Sequence, residues 1–350
     1  MDFVQLRRYK LLLVSIIINN YNYDRFLVQA IDSALSQTYP HVEVIVVDDG
    51  STDRSREIIT SYGDRLMSIF QDNGKQGAAF NTGFAASQGE IIIFLDSDDY
   101  LVPNALEQIV ARWQPNFAKI HYRLNVVDAE GQSLGTSAPP QGQSLAHGEL
   151  WRTLLEEGTY TGVSTSGNAL SRQALSQVMP IPNDYRTTAD DYLSNLIPFY
   201  GEVGAIQEPL AAYRIHTTNQ WALTTVDGDR FHRFVHHDLQ SRNLLAQKAN
   251  ELGLPLPPDF DLRFHGHLWS RIASLRLDPA DHPIPADHPL QLIYWGMRSL
   301  WKYSQFSQTK KLAYSLWFLW VGLLPLPLAK VAITWLFVPY QRPKFMNRWV

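Results

Sequence analysis

Three short aliphatic runs recur in the first hundred positions, and each stops abruptly at polar residues. The run Leu11–Ile18, broken only by Ser15, closes on Asn19-Asn20-Tyr21-Asn22; Val42–Val47 closes on Asp48-Asp49-Gly50-Ser51; Ile91–Leu95 closes on Asp96-Ser97-Asp98-Asp99. Largely apolar β-branched runs of this length predict strands covered on both faces. Between the first two, Phe26, Leu27, Ala30, Ile31, Ala34 and Leu35 share one helical face, with Asp24 as the expected cap. Asp53 is the expected cap of a short helix through Ile58 and Ile59. A strand near Leu66–Phe70 and a Gly-punctuated helix near Lys75–Ser87 complete the alternation. Strand-helix alternation predicts an α/β fold with a mostly parallel, doubly wound sheet. Ligands of such sheets bind beyond the carboxyl ends of the strands, so the three polar endings are expected to be neighbours in space.

Beyond residue 100, Pro103 opens another helix and residues 117–135 read as a hairpin turning at Asp128-Ala129-Glu130-Gly131. A Ser/Pro/Gln/Gly loop follows at 136–144. Residues 188–200 read as a helix opening with Asp190-Asp191, and Glu208–His216 as a strand and its exit. From 228 to 305 the pattern is helical, with a Pro-rich break near 279–289. Leu312–Val338 differs in kind, being Trp-rich and nearly uncharged, with Pro325, Pro327 and Lys330 in its middle. Either half is shorter than the roughly 20 residues a span needs. Basic residues flank both sides, Lys310 and Lys311 before, Arg342, Lys344 and Arg348 after. A single span biases cations to one side. This pattern favours an interfacial or re-entrant hairpin with both ends in the cytoplasm, the alternative being an ordinary buried helix pair. Arg7, Arg8 and Lys10 precede the first apolar run, but no small-residue cleavage pattern follows, so that run reads as a strand and not as a signal peptide.

Composition narrows the function classes. A net charge of −4 leaves no electrostatic footprint for nucleic acid. With no cysteine there is neither a disulfide nor a thiolate metal site, which fits a reducing compartment. The chemistry concentrates in Asp96, Asp98 and Asp99. Carboxylates this close repel one another unless a cation sits among them, and Mg²⁺ or Mn²⁺ prefers oxygen ligands and bridges carboxylates to phosphates. The alternative is a solvated acidic loop. His232, His236 and His237 have helical metal-ligand spacing, but without a His-Glu-x-x-His arrangement they read as a polar helix face.

Taken in order, the motifs resemble those of the family 2 glycosyltransferases with the GT-A fold, over roughly residues 12–217. They are Val14–Ile18 with Tyr21-Asn22; Ser36-Gln37-Thr38-Tyr39; Val46–Asp53; Asn73-Gly74; Asn81-Thr82-Gly83; Gly89-Glu90; Phe94–Asp99; Ala189-Asp190-Asp191; and Tyr213-Arg214-Ile215-His216. The chain departs from the family at Asn19-Asn20, where Pro-Thr is frequent, at Phe80, where an Arg often precedes the matched Asn, and at Asp190, where Glu is usual. The resemblance implies a nucleotide-sugar-binding and catalytic domain over residues 1–220; beyond it, the helical pattern marks an extension over 221–308 and the apolar run a membrane-associating segment over 309–350. It implies Asp98 as metal ligand with Asp96 as second ligand or ribose contact. Asn19, Tyr21, Asp49, Asn81 and His216 are implied donor contacts, Asp49 to the base, Tyr21 by stacking and His216 near the diphosphate or metal. Asp191 is implied as catalytic base and Asp190 as support or acceptor contact. The expected activity is inverting transfer of one sugar from a nucleotide-diphosphate donor, a UDP-sugar foremost, to a glycan or lipid-linked glycan acceptor. It requires Mg²⁺ or Mn²⁺ and takes place at the cytoplasmic membrane face in envelope or exopolysaccharide synthesis. Competing expectations are a haloacid-dehalogenase-like phosphohydrolase, suggested by Asp96-Ser97-Asp98, and a non-catalytic nucleotide-sugar-binding module.

Overall fold

A computed structural model describes residues 11–216, 226–338 and 342–343. The basic residues Arg7, Arg8, Lys10, Lys344 and Arg348 lie outside the described residues. The chain divides into two compact units, Met1–Trp151 with Thr161–Thr217, and Arg152–Tyr160 with Thr218–Val350.

The first unit opens with β1 (Val14–Asn20), α1 (Asp24–Leu35), β2 (Val42–Asp48), α2 (Ser55–Ser61), β3 (Met67–Phe70), α3 (Gln76–Ala86) and β4 (Ile91–Asp96). β5 (Tyr100–Leu101), α4 (Ala105–Arg112), β6 (Phe117–Val127) and β7 (Ser133–Ala138) follow, then, after α5 (Leu150–Glu157), most of which belongs to the second unit, β8 (Asn168–Ser171), α6 (Arg172–Leu175), α7 (Ala189–Leu196) and β9 (Glu202–Arg214). One sheet runs in the order β3-β2-β1-β4-β8-β6-β9-β5, with β7 paired to β6. β1, β2, β3 and β4 pair in parallel, as do β6 and β9. The strands β1, β2 and β4 end level: Asn19 pairs with both Val47 and Asp96, and Asn20 with Asp48. The register therefore delivers three polar strand endings to one edge. Ile16, Ile17, Ile18, Val46, Ile93 and Leu95 are fully buried beneath it, each such side chain contributing about 1.5–3 kcal/mol of transfer free energy.

Two local features depart from the sequence-based expectation. Asp24 does not cap α1; Asp53 does, its Oδ2 accepting the Asp24 N–H at 2.9 Å while its Oδ1 accepts the Ser55 N–H at 3.0 Å. One carboxylate thus satisfies the starts of two helices, a better use of a charged acceptor than capping one. The second is β8, which enters antiparallel between β4 and β6. β6 is long because it uses one edge twice, pairing β8 through Lys119–His121 and β7 through Leu124–Val127.

The second unit is helical: α8 (Gly228–Glu251), α9 (Phe260–Arg263), α10 (His265–Leu277), α11 (Pro289–Lys302), α12 (Gln308–Leu323) and α13 (Leu326–Phe337). Its own core gathers Phe231, Leu268, Ile272, Leu292, Phe318 and Ile333. The Pro-rich break before α11 is held by Asp287, which accepts from Arg271 Nε at 2.8 Å and pairs with His282 Nε2 at 3.0 Å. α12 and α13 bury one face, with Trp317 Nε1 donating to the Ala332 carbonyl at 2.8 Å, while Leu312, Leu316 and Val331 stand exposed on the other. Among the described residues no helix is long and apolar enough to cross a membrane.

Candidate active site

The acidic cluster is a braced turn. The Asp99 N–H donates to the Asp96 carbonyl at 3.0 Å, and the Asp96 N–H to Ser166 Oγ at 3.1 Å. Asp96 Oδ1 accepts from Asn19 Nδ2 at 3.0 Å and from Gln76 Nε2 at 3.2 Å. Arg214, at the end of β9, lies buried beneath. Its N–H donates to Asp99 Oδ1 at 2.9 Å, and its Nε to the Asp98 carbonyl at 2.7 Å. Its Nη1 reaches the Ala129 carbonyl at 2.9 Å and its Nη2 reaches Gln29 Oε1 at 2.6 Å. The turn is thus locked to β9, the β6–β7 hairpin and α1 by one guanidinium, which its fixed planar fork suits. Two residues further on, His216 Nε2 lies 3.0 Å from Asp98 Oδ2, its ring packed 4.9 Å from Phe26 and 5.6 Å from Tyr23.

Asp96 and Asp99 do not ionise easily without a partner. Burial, then the Asp98 charge, pushes Asp96 up to about 6. Burial, then Asp98 and Asp96, holds Asp99 well above the usual carboxylate range, and Asp99 Oδ2 is buried with no hydrogen-bond partner. Asp98 and His216 present an oxygen and a nitrogen side by side. This donor set fits a hard divalent cation that keeps its remaining positions for water or phosphate. The residues do not form a ready cage. Among the described residues, the group of three His or acidic side chains whose ligand atoms meet within 4.8 Å is Asp229, His232 and Asp278, in the second unit. Of the three histidines read as a polar helix face, His232 therefore has two carboxylates for neighbours.

At the β2 end, Asp49 is almost fully buried and both its oxygens are engaged. Oδ1 accepts from Gln71 Nε2 at 2.6 Å and the Gly74 N–H at 2.9 Å, and Oδ2 from the Lys75 N–H at 2.8 Å. Asp49 thereby shapes the 71–75 loop, in which Lys75 adopts φ 71°. Asn20 Nδ2 donates to Asp48 Oδ1 at 2.9 Å, and Tyr21 beside it is exposed. Arg186 reaches the same rim: its Nη1 and Asp49 Oδ1 each lie 3.8 Å from where a side chain on Gly74 would begin. Asn81 differs from expectation. Its Nδ2 donates to the Ile181 carbonyl at 2.9 Å and its Oδ1 accepts the Ile181 N–H at 2.7 Å. With both ends of the amide bonded to the backbone of one residue, Asn81 holds the 181–186 loop on α3. Phe80, where the family often has Arg, is fully buried and stacks on Phe94 at 4.0 Å.

The pair Asp190-Asp191 opens α7, where Thr188 occupies the N-cap without a side-chain cap. Asp190 Oδ1 accepts the Asp191 N–H at 2.9 Å. Asp190 also lines a small cavity with Phe80, Phe94, Thr165, Asn168 and Lys119. Lys119 is buried in β6 with Nζ donating to Asn168 Oδ1 at 2.9 Å, and burial pulls its amine down to about 7. Tyr213 links α7 to the turn: burial first, then the charges of Asp99, Asp98, Asp96 and Asp190, pushes its phenol up to about 12. The acidic turn and Asp190 thus act on the same hydroxyl.

Residues 15–137 match the sequence model described as Glycosyl transferase family 2. A Nostoc protein named as an uncharacterised glycosyltransferase is 40% identical over 213 residues, covering 59% of this chain and 66% of that one. Residues 15–137 belong to glycosyltransferase family 2. A Rickettsia typhi glycosyltransferase, also uncharacterised, is 38% identical over 132 residues, or 37% of this chain and 42% of that one. The matched segments span less than two thirds of these curated relatives. Among solved structures, Staphylococcus aureus TarS 1-349 in complex with UDP-GlcNAc superposes with a TM-score of 0.54 at 16% identity, covering 92% of this chain and 91% of that one. The mannosyltransferase PcManGT from Pyrobaculum calidifontis, in complex with GDP-Man and Mn²⁺, gives 0.50 at 15%, covering 92% and 87%. At these identities the likeness is one of fold, and the fold is GT-A.

Within the family 2 frame, three residues escaped sequence reasoning. Arg214 stands inside a matched motif, yet its bracing role needs the three-dimensional neighbours. Lys119 alternates with His121 and Arg123 along β6, all three buried, a signal that was legible. Arg186 sits in an irregular loop with no pattern to mark it.

Proposed function

We propose that the chain is an inverting, metal-dependent glycosyltransferase that moves one sugar from a nucleotide-diphosphate donor, a UDP-sugar foremost, to an acceptor hydroxyl. The observation that carries this reading is the meeting of Asp98 Oδ2 and His216 Nε2 at 3.0 Å on the strand-end edge that also carries Asp49 and Tyr21. Residues 1–220 then form the donor-binding and catalytic part, 221–308 the helical extension and 309–350 the membrane-associating segment.

Asp98 and His216 would hold Mg²⁺ or Mn²⁺, with Asp96 beside them fixed by Asn19 and Gln76. Bound there, the cation supplies positive charge against the diphosphate leaving group. Tyr21, exposed at the end of β1, is available to stack on the base, and Asp49 orders the loop against which the base lies. Arg186 offers a further cation at that rim. Asp191 takes the proton of the acceptor hydroxyl while the oxygen bonds to the anomeric carbon and the bond from that carbon to the diphosphate breaks. Asp190 supports it from the first turn of α7. Acceptors of glycan or lipid-linked glycan type, met at the cytoplasmic membrane surface in envelope or exopolysaccharide synthesis, complete the proposal.

The test is release of nucleoside diphosphate from UDP-, GDP- and dTDP-sugars with and without Mn²⁺. Metal-dependent release lost in Asp191→Asn supports the reading. Tight donor binding with no turnover on any acceptor would leave a non-catalytic binding module, and ester hydrolysis without a sugar requirement would favour the phosphohydrolase.

A further inference from the structure

From residue 288 to the end the chain carries eight Lys and Arg and no Asp or Glu, which leaves 22 basic against 34 acidic residues before it. An overall charge of −4 therefore hides a +8 segment attached to a −12 remainder. The same segment holds ten of the nineteen exposed large hydrophobic side chains among the described residues. On α11, Tyr294 and Trp301 share an exposed face seven residues apart, while Leu292, Ile293 and Leu300 are buried opposite. At the turn between α12 and α13 every residue from Leu323 to Leu328 is exposed, and four of these six are leucine. Trp320 and Trp335 sit half-buried behind that tip with ring centroids 5.8 Å apart, and Trp320 Nε1 donates to the Leu328 carbonyl at 3.0 Å. The tip is thus a shaped, cross-braced apolar projection with Lys310, Lys311 and Lys330 on the helices that carry it.

We propose that the exposed face of α11–α13, led by the Leu323–Leu328 tip, docks in the plane of an anionic lipid bilayer. This deepens the membrane part of the function proposed above and does not depend on the donor chemistry. Apolar side chains with Trp and Tyr at their margin enter the headgroup boundary, and cations on the same helices meet the negative surface potential. Charge favours this occupant over a second copy of the same face, since two +8 segments repel. Helices this short, with one face already in a protein core, lie on the bilayer and do not cross it.

The full chain is sedimented with phosphatidylcholine vesicles, with and without phosphatidylglycerol, at low and high salt. Binding is expected only with phosphatidylglycerol and weakens with salt. Leu326→Glu with Leu328→Glu, at exposed sites where folding is checked by circular dichroism, should weaken binding about tenfold or more; so should Lys310→Glu with Lys311→Glu, at about fivefold or more per cation. Equal binding to neutral vesicles would overturn the proposal, as would indifference to the leucine variants. So would a discrete dimer in solution that the leucine variants dissociate, because a second copy would then cover the face. Donor hydrolysis by the wild-type chain without vesicles is read separately, so failure of the catalytic reading and failure of docking are distinguishable.

Discussion

With Asp98 on the cation and Asp191 as the base, as proposed, the two tasks are separable by changing one carboxylate oxygen in each. Asp191→Asn keeps the shape of α7 and removes the base, so kcat should fall about 10²- to 10⁴-fold with donor affinity nearly unchanged. Calorimetric titration of donor alongside turnover checks it; intact turnover would move the base to Asp190. Asp98→Asn should instead abolish the Mn²⁺ dependence of donor binding, because it breaks the oxygen–nitrogen pair with His216. Arg214 makes a different kind of claim. It bonds three backbone carbonyls and Gln29 from a buried position, so Arg214→Met strands several buried acceptors at once. Each orphan costs about 1–3 kcal/mol, and urea unfolding should show a loss of about 3 kcal/mol or more. A loss within experimental scatter would mean that the turn does not need the brace.

Elements position the site through a few close approaches. A Cβ on Gly83 would begin 2.3 Å from Ile17 Cγ2, so α3 lies on β1 at a distance only glycine permits. Gly83→Ala forces the helix outward and with it Gln76, one of the two amides on Asp96. Thermal melts should show a cost of about 1–3 kcal/mol, and donor affinity should fall with it. The four leading strands and their order along the chain were legible, because uninterrupted Ile/Val/Leu runs and helix-period faces report burial directly. β8 was not: Asn168–Ser171 is four residues long with a single buried Ala-Leu pair, and it is strand only because β4 and β6 present edges to it. The same limit divides the site. Asp96, Asp98 and His216 announce themselves by type and motif, and the structure brings them together. Asn81 matched its motif equally well, yet its partner is the Ile181 backbone a hundred residues away, which no local pattern encodes.

At the scale of the whole molecule, the buried titratable groups make stability a readout of the site. Asp96 stands at about 6 in the folded chain against about 3.9 for a free carboxyl. Its folded value is raised, so the stabilisation is complete below about pH 4 and lost as pH rises through about 6, a change of roughly 2–3 kcal/mol. Lys119 works in the other window. Its folded value of about 7 lies below the ordinary lysine range, so the contribution is present only above about pH 10 and is lost as pH falls toward 7. The metal-free chain should therefore show a melting temperature that climbs as pH rises from about 7 toward 10, whereas on the acid side the raised Asp96 works against buried His121, which is held down to about 3 and loses stability as pH falls. Two perturbations assign the limbs. Lys119→Met should flatten the alkaline rise, because the group that regains its neutral partner state is gone. Mn²⁺ with a nucleoside diphosphate favours the ionised carboxylates, so its stabilising effect should grow as pH rises through 6 and be nearly absent at pH 4. Mn²⁺ protection equal at pH 4 and pH 7 would mean that the buried acids of the turn do not answer to a cation.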